Sequence, residues 1–266
     1  MASLSYGTDN GPYGEQVSTW IEAGLWGLLA GGALVIGAAV AWLVRVPRVV
    51  SSTVMAFGAG VLISALAFDL VDEAATTGGV PATVAGFLVG ALAYVGGNIV
   101  LARRGARHRK RSGDLQPRED DQQGSGTAIA LGALLDGVPE SVVLGLSLLG
   151  GHGVGVPVLA AVFVSNLPEG LSSTVGMKRA GRSATFVFGV WTSIALAAGV
   201  AGALGVLLLG DASDPTVAAI TAVAAGAILA MVTDTMIPEA FEETRLWTGL
   251  IATVGFIVAF GISRSA

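Results

Sequence analysis

Long apolar runs alternate with short polar breaks along the whole chain of 266 residues. A helix of about 20 such residues can cross the hydrocarbon core of a bilayer, which is roughly 30 Å thick. The pattern predicts eight transmembrane helices, at residues 20–44, 50–74, 82–102, 127–149, 154–177, 184–209, 216–241 and 246–263. We therefore expect an all-α polytopic membrane protein with a single transmembrane domain over residues 1–266.

The amino-acid composition also indicates a membrane protein. Hydrophobic residues make up 53 % and charged residues only 12 %, whereas soluble domains carry roughly a quarter charged residues. Cysteine is absent, so neither disulfides nor thiolate metal ligands can form. The sequence contains no nucleophile motif or phosphate-binding loop, and its basic block is one short loop beside a span. We therefore expect neither an enzyme nor a nucleic-acid partner.

The distribution of basic residues predicts the orientation in the membrane. If the amino terminus is outside, 13 of the 14 Lys and Arg residues fall in cytoplasmic connections and only Arg264 lies outside. Such an excess on one side is typical of the cytoplasmic face. We expect a multi-pass protein of the cell membrane with both termini outside, and with residues 1–18 as an external tail.

The connection at 103–126 differs from the other connections in length and composition. It runs from a basic block into an acidic stretch rich in Gln, Ser and Gly, without an apolar period. This composition predicts a flexible cytoplasmic loop, whose basic half we expect to lie against anionic headgroups.

Acidic residues occur inside the predicted spans. A charged side chain at the centre of a span costs about 2.5–3.5 kcal/mol on insertion scales. Because every Lys and Arg belongs to a loop, a span end or the carboxyl tail, we expect no internal salt bridge. Protonation of the acids, a water-filled cavity or a bound cation could still offset this cost, and all three are typical of a transport pathway. The acids are Asp69, Asp72, Glu73, Asp136, Glu140, Glu169, Asp234 and Glu239.

The three deepest acids, Asp136, Glu140 and Glu169, lie on the two middle spans. Asp136 and Glu140 are four residues apart, as are Ser165 and Glu169, so each pair shares one helix face. A proline precedes each glutamate and frees a backbone carbonyl one turn earlier for a ligand or water. The residues therefore predict an ion site at the middle of the membrane.

Two internal repeats organise these motifs. Residues 134–145 match 163–174, and residues 60–74 match 226–240. Three spans before the middle pair and three after it give a 3+2+3 arrangement with inverted outer triplets, which is common in secondary transporters. In this arrangement Asp69 and Glu73 lie near the outer mouth, and Asp234 and Glu239 lie near the inner mouth. A structural role as helix-to-helix hydrogen bonders remains an alternative for these four.

The motifs on the middle spans resemble those of the ZIP (Zrt-, Irt-like) metal transporters. The run SNLPEG at 165–170 is similar to the fifth-span signature H-N-x-P-E-G, and DGVPES at 136–141 stands at its fourth-span counterpart. MIPEA at 236–240 is similar to the seventh-span motif. The resemblance covers nearly the whole chain and implies a carrier that moves a divalent metal, of the Zn, Fe or Mn class, into the cytoplasm as substrate, without a resident cofactor.

The resemblance also implies roles for single residues. Glu140 and Glu169 match carboxylates that bridge a binuclear metal centre, Asn166 matches a second-site ligand, and Asp136 and Ser165 stand where histidines normally bind. Glu73 and Glu239 match pathway acids of spans two and seven, and Asp69 and Asp234 accompany them. Ligands of oxygen alone suit Mn, Mg and Ca better than imidazole-preferring metals, so the preference is expected to shift towards Mn or Fe, or to broaden.

Two alternatives stay open at this point. The chain could be a relative of ZIP proteins without metal transport, with protonated acids that serve a proton or small-cation pathway or helix packing. Glycines four residues apart, such as Gly27 with Gly31 and Gly86 with Gly90, could allow close packing within the chain or line the face of a homodimer.

Overall fold

A computed structural model describes residues 12–110, 116–118, 120–147 and 156–265. Within these ranges the chain is helical and contains no strand. The helices are α1 Pro12–Leu43, α2 Arg48–Ala65, α3 Val71–Gly78, α4 Val80–Leu101, α5 Ser125–Leu146, α6 Val156–Arg179, α7 Ala184–Leu209, α8 Asp214–Met231, α9 Ile237–Thr244 and α10 Thr248–Ser265. Three π-helical segments, Leu66–Leu70, Ala102–Ala106 and Val232–Met236, and one 3₁₀ turn, Arg245–Trp247, connect or extend them.

Seven helical segments of the described ranges are long and apolar enough to cross a membrane, so the protein is a multi-pass membrane protein. The last segment, Asp214–Ser265, has 52 residues and includes α8, α9 and α10. It covers both of the last two predicted spans. Arg245, with φ 43°, interrupts the regular backbone between α9 and α10. Helix α1 begins at Pro12, inside the predicted tail, while residues 1–11 are outside the described ranges.

The repeat between residues 60–74 and 226–240 is also a repeat of structure. The succession of α2, a π segment and α3 spans 48–78, and the succession of α8, a π segment and α9 spans 214–244, with every boundary 166 positions later. Each succession is followed directly by a residue of positive φ, Gly79 at 79° and Arg245 at 43°. The two π segments carry Asp69 and Asp234, and such segments are frequent at functional sites.

Glycines bring the repeated helices together in reciprocal crossings. Helix α2 packs on α10, and α4 packs on α8. At each crossing two glycines face backbone so closely that a Cβ would collide with a carbonyl oxygen, which fixes the helix spacing. The facing pairs are Gly60 with Ala252 and Gly255 with Phe57 in one crossing, and Gly226 with Phe87 and Gly90 with Val223 in the other.

Helix α1 lies against α6 and α7. Gly27 and Gly31 of α1 face Ala198 and Ala195 of α7. Gly86 of α4 faces α8, as Gly90 does. The glycine pairs that the sequence left open between internal packing and a dimer face therefore pack inside the chain.

Candidate cation site

The three deepest acids lie on the two middle helices and are almost completely buried. Asp136, Glu140 and Glu169 are exposed by only 1 %, 2 % and 3 %. The ammonium of Lys110 joins the two helices, since its Nζ lies 2.7 Å from Glu169 Oε2 and 3.5 Å from Asp136 Oδ2. Lys110 itself is 3 % exposed. The carboxylates of α5 and α6 thus share one buried cationic group.

Arg109 binds Asp136 with two hydrogen bonds, from Nε to Oδ2 at 2.8 Å and from Nη2 to Oδ1 at 2.7 Å. Its Nη2 also donates to Tyr94 Oη at 2.9 Å, and Nη1 donates to Asn98 Oδ1 at 2.8 Å and to the Ala106 carbonyl oxygen at 3.3 Å. All five guanidinium hydrogens therefore have an acceptor. Tyr94 completes the group by donating to Asp136 Oδ1 at 2.6 Å.

The expectation of no internal salt bridge is wrong, because Arg109 and Lys110 fold back from the connection after α4 into the protein. The expected position of the basic half against headgroups is also wrong for these two residues, which are buried. Burial disfavours the charged guanidinium, but the Asp136 carboxylate outweighs it and raises the pKa of Arg109 above its ordinary value. Residues 111–115 and 119 of the predicted flexible loop are outside the described ranges.

Polar groups of α6 and of the loop hold this segment by its backbone. The Ser173 hydroxyl donates to the Arg109 carbonyl oxygen, and Gln116 Nε2 donates to the same oxygen at 2.9 Å and to the Ser173 carbonyl at 3.1 Å. The Ser172 hydroxyl lies 2.7 Å from the Lys110 carbonyl oxygen. The segment is thus attached by both side-chain charges and main-chain hydrogen bonds.

Gly132 of α5 makes room for Arg109. A Cβ at this position would lie 2.5 Å from Arg109 Cδ and 2.9 Å from its Nε, well inside van der Waals contact. The glycine is one helical turn before Asp136, so the guanidinium passes over it to reach the carboxylate.

Glu140 differs from its two neighbours. Its Oε1 is buried and has no hydrogen-bond partner among the described residues. The charges of Glu169, Lys110 and Asp136 all act on its carboxyl group. A buried polar atom without a partner costs free energy of about 1–3 kcal/mol, so this oxygen is a position that a cation would stabilise.

Ser165 and Asn166 lie on the same helix as Glu169 and are buried. The Ser165 hydroxyl donates to the Val162 carbonyl oxygen at 2.9 Å. Asn166 Nδ2 donates to the Ala30 carbonyl oxygen of α1 at 3.0 Å. Each side chain makes a hydrogen bond to a helix backbone in this conformation, and Asn166 connects α6 to α1.

Two of the predicted pathway acids have polar partners on neighbouring helices. Ser263 of α10 donates to Asp69 Oδ1 at 2.7 Å. Asn98 of α4 donates to Asp234 Oδ2 at 3.4 Å. Both acids lie in π segments, and each partner lies near the end of the long helix of the other repeat unit, so the two contacts are equivalent in the structural repeat. Asn98 also binds Arg109, which connects Asp234 to the buried network.

The other two pathway acids, Glu73 and Glu239, occupy equivalent positions in the repeat but different surroundings. Glu73 lines an open cavity of about 400 Å³ together with Thr77, Asp214 and Thr221. Glu239 is fully buried, and its Oε1 lies 2.6 Å from the Ser172 hydroxyl that also contacts Lys110. The acid at this position therefore lines an open cavity in one repeat unit and is enclosed in the other.

As the side chains stand, the described ranges contain no group of three or more His, Cys, Asp and Glu residues arranged to hold a metal ion. A scan against protein-family models finds no match, and a search of curated proteins finds no significant relative. The function therefore has to be argued from the site itself.

Sequence reasoning missed three members of this network: Tyr94, Arg109 and Lys110. Two signals could have pointed to them. The first is the number of span acids without a cationic partner, next to a loop with seven basic residues between 103 and 118. The second is Gly132, which precedes Asp136 by one turn on the same helix face and leaves room for a long side chain.

Proposed function

We propose that the protein transports a divalent transition-metal ion, of the Zn, Fe or Mn class, across the cell membrane towards the cytoplasm. Asp136, Glu140, Ser165, Asn166 and Glu169 would bind the ion at the middle of the membrane. Asp69, Glu73, Asp234 and Glu239 would line its way to and from that site. The ion is the substrate, and the ligand set consists of oxygen atoms alone.

The buried Glu140 Oε1, which has no hydrogen-bond partner in the part of the chain that the structure describes, carries this proposal. It lies beside two further buried carboxylates whose charges are balanced by a lysine and an arginine. A site that already holds cationic groups among three carboxylates has the charge and burial that a divalent cation requires. Ligands of oxygen alone suit Mn²⁺ better than imidazole ligands do, so we expect a smaller preference for Zn²⁺ over Mn²⁺ than a site with histidine ligands would have.

The membrane arrangement is part of the proposal. Arg245 would mark the turn between a seventh and an eighth span, and the repeated units 48–101 and 214–265 would be inverted relative to each other. Their reciprocal glycine crossings support this 3+2+3 arrangement. Inverted repeats around a central site provide alternating access when one set of helices moves against the other.

The ion pairs favour a second candidate function. Arg109 and Lys110 neutralise Asp136 and Glu169, so these acids could serve only to hold the loop and pack the helices. In that case the chain would not bind metal at all. Metal binding by the purified protein distinguishes the two candidates.

The deciding experiment is a thermal unfolding series on purified protein with Mn²⁺, Fe²⁺ and Zn²⁺. A ligand at 100 times its Kd stabilises the folded state by about 2.7 kcal/mol. We expect this shift in the unmodified protein, its loss in Glu140→Gln and in Glu169→Gln, and only a partial reduction in Ser165→Ala. Asp211→Asn is the matched control, because Asp211 is exposed in the α7–α8 connection.

We expect Mn²⁺ uptake into proteoliposomes to rank these variants in the same order. Uptake should be highest in the unmodified protein and in Asp211→Asn, lower in Ser165→Ala, and absent in Glu140→Gln and Glu169→Gln. Metal shifts that are equal in the unmodified protein and in both glutamine variants would exclude the site. The lack of any shift in the unmodified protein would favour the packing alternative.

A further inference from the structure

We propose that the side chains of Arg109 and Lys110, carried by the segment 106–110, form a plug that occupies the carboxylate site as a tethered cation and must withdraw before a mobile cation can bind. The identity of that mobile cation rests on the proposed function. The plug itself rests on the contacts of Arg109 and Lys110, which hold whether or not the protein transports metal.

The positions of the charges are the first argument. Lys110 Nζ lies within 3.5 Å of carboxylates on both α5 and α6, which is where a shared cation would have to lie. A tethered group competes at an effective concentration in the millimolar range for a short flexible linker. A free ion therefore has to displace the ammonium. Its apparent affinity is its intrinsic affinity multiplied by the fraction of molecules in which the plug is out.

The attachment of the plug is the second argument. Arg109 is fully satisfied, and the backbone of 109–110 is held by Ser172, Ser173 and Gln116. All these contacts are polar, and α5 and α6 supply a glycine and serines where the segment lies. A segment held by hydrogen bonds and ion pairs can exchange its partners for water when it leaves, whereas a segment held by apolar packing would expose apolar surface.

The difference between the two halves of the repeat is the third argument. At Glu73 the structure has an open cavity of about 400 Å³. Its equivalent, Glu239, is completely buried, and the Ser172 hydroxyl that donates to Glu239 Oε1 also lies 2.7 Å from the Lys110 carbonyl oxygen of the plug. The two equivalent acids thus differ in access, and the buried one is linked to the plug through Ser172.

Gly132 offers a way to displace the plug without changing any charge. In Gly132→Ala the new methyl group would collide with Arg109 Cδ. The matched control is Gly189→Ala in α7, where a Cβ has nothing within 4 Å. Lys110→Met removes the ammonium and keeps an unbranched side chain up to Cε. Arg107→Gln, at an exposed position two residues before Arg109, controls for loss of a positive charge in the same segment.

A cysteine at Ala106 reports the position of the plug, because Ala106 is fully buried and the native chain has no cysteine. We expect slow reaction of Ala106→Cys with an impermeant thiol reagent in the purified protein. The rate should rise about tenfold or more with Gly132→Ala and with Glu169→Gln, which weakens the contact to Lys110. Gly189→Ala and Arg107→Gln should leave the rate unchanged.

The second measurement is Mn²⁺ affinity without the reporter cysteine. We expect Gly132→Ala and Lys110→Met to bind Mn²⁺ about tenfold more tightly or better than the unmodified protein, while both controls bind equally well. Gly132→Ala keeps every charge, so a gain in its Mn²⁺ affinity would come from displacement of the plug. In Lys110→Met the same gain could also come from the loss of a positive charge that repels Mn²⁺. Mn²⁺ should also accelerate labelling of Ala106→Cys.

If neither Gly132→Ala nor Glu169→Gln changed the labelling rate of Ala106→Cys, the proposal of a plug would be wrong. If the unmodified protein binds Mn²⁺, an accelerated labelling rate without any gain in Mn²⁺ affinity would also contradict the plug. If no variant binds Mn²⁺ although labelling responds as expected, the metal-transport function fails and the plug stands on the labelling results.

Discussion

Arg109 and Asp136 form a bidentate ion pair with N···O distances of 2.7 and 2.8 Å between a loop and the middle of a membrane helix. Both partners are buried to within 1 % of complete. Removing one partner from such a pair leaves an unpaired buried charge, which costs more than the pair itself contributes. This asymmetry makes the pair testable by a double-mutant cycle.

The first prediction is that Arg109→Gln and Asp136→Asn each lower the free energy of unfolding by about 3–5 kcal/mol. The double variant should be destabilised by less than the sum of the two, because neither charge then remains buried alone. Thermal or denaturant unfolding in one detergent measures all three. Arg107→Gln is the control, and additive single effects would show that the pair is not coupled.

The second prediction concerns Tyr94, whose hydroxyl donates to Asp136 and accepts from Arg109. Tyr94→Phe keeps the ring and removes both hydrogen bonds, so we expect a loss of about 1–3 kcal/mol in unfolding free energy. In the background of the double variant the same change should cost less, since the charged partners are gone. An equal cost in both backgrounds would mean that the hydroxyl acts independently of the ion pair.

The third prediction concerns the glycine crossings. Gly60→Ala and Gly226→Ala place a methyl group against a backbone carbonyl of the facing helix, and we expect each to destabilise the protein by about 1–3 kcal/mol. Gly32→Ala, where a Cβ meets nothing within 4 Å, should be neutral or stabilising by about 0.5–1 kcal/mol. Unfolding temperatures of the three variants measure the difference, and similar temperatures for all three would contradict close backbone contact.

The fourth prediction is the topology. Val44 in the α1–α2 connection and Asp211 in the α7–α8 connection are both exposed, but the charge distribution predicts opposite sides of the membrane for them. A cysteine at Asp211 should react with an impermeant thiol reagent in intact cells, while one at Val44 should react only after permeabilisation. The reverse pattern would invert the orientation and exchange the two mouths.

Helix positions and the repeat could be predicted from the sequence because both depend on local patterns. Apolar runs of about 20 residues identify spans, and the match of residues 60–74 to 226–240 predicts equivalent structures, which α2–α3 and α8–α9 confirm. The π segments at Asp69 and Asp234 could not be predicted, because these spans are apolar on most faces, so the change of helix phase caused by one extra residue does not interrupt the apolar pattern.

The partners of the buried acids could not be predicted for a different reason. In the sequence, Asp136 and Glu169 are acids within a span that have no nearby basic residue. The basic residues that pair with them, Arg109 and Lys110, come from a stretch whose composition is typical of a solvated loop. Polar composition predicts that Arg109 and Lys110 prefer water to lipid. It does not show that buried carboxylates and serine hydroxyls can bind these two residues inside the protein, away from both water and lipid.

The crossings of α2 with α10 and of α4 with α8 have a consequence for biosynthesis. Each crossing takes one helix from each repeat, so the two repeats are interleaved rather than placed side by side. When the ribosome has made α2 and α4, their partners α8 and α10 are still more than 100 residues away. The glycine faces of the first repeat must therefore stay against lipid or an insertion factor until the carboxyl-terminal helices enter the membrane, and a chain truncated before α8 would lack the partners of both crossings.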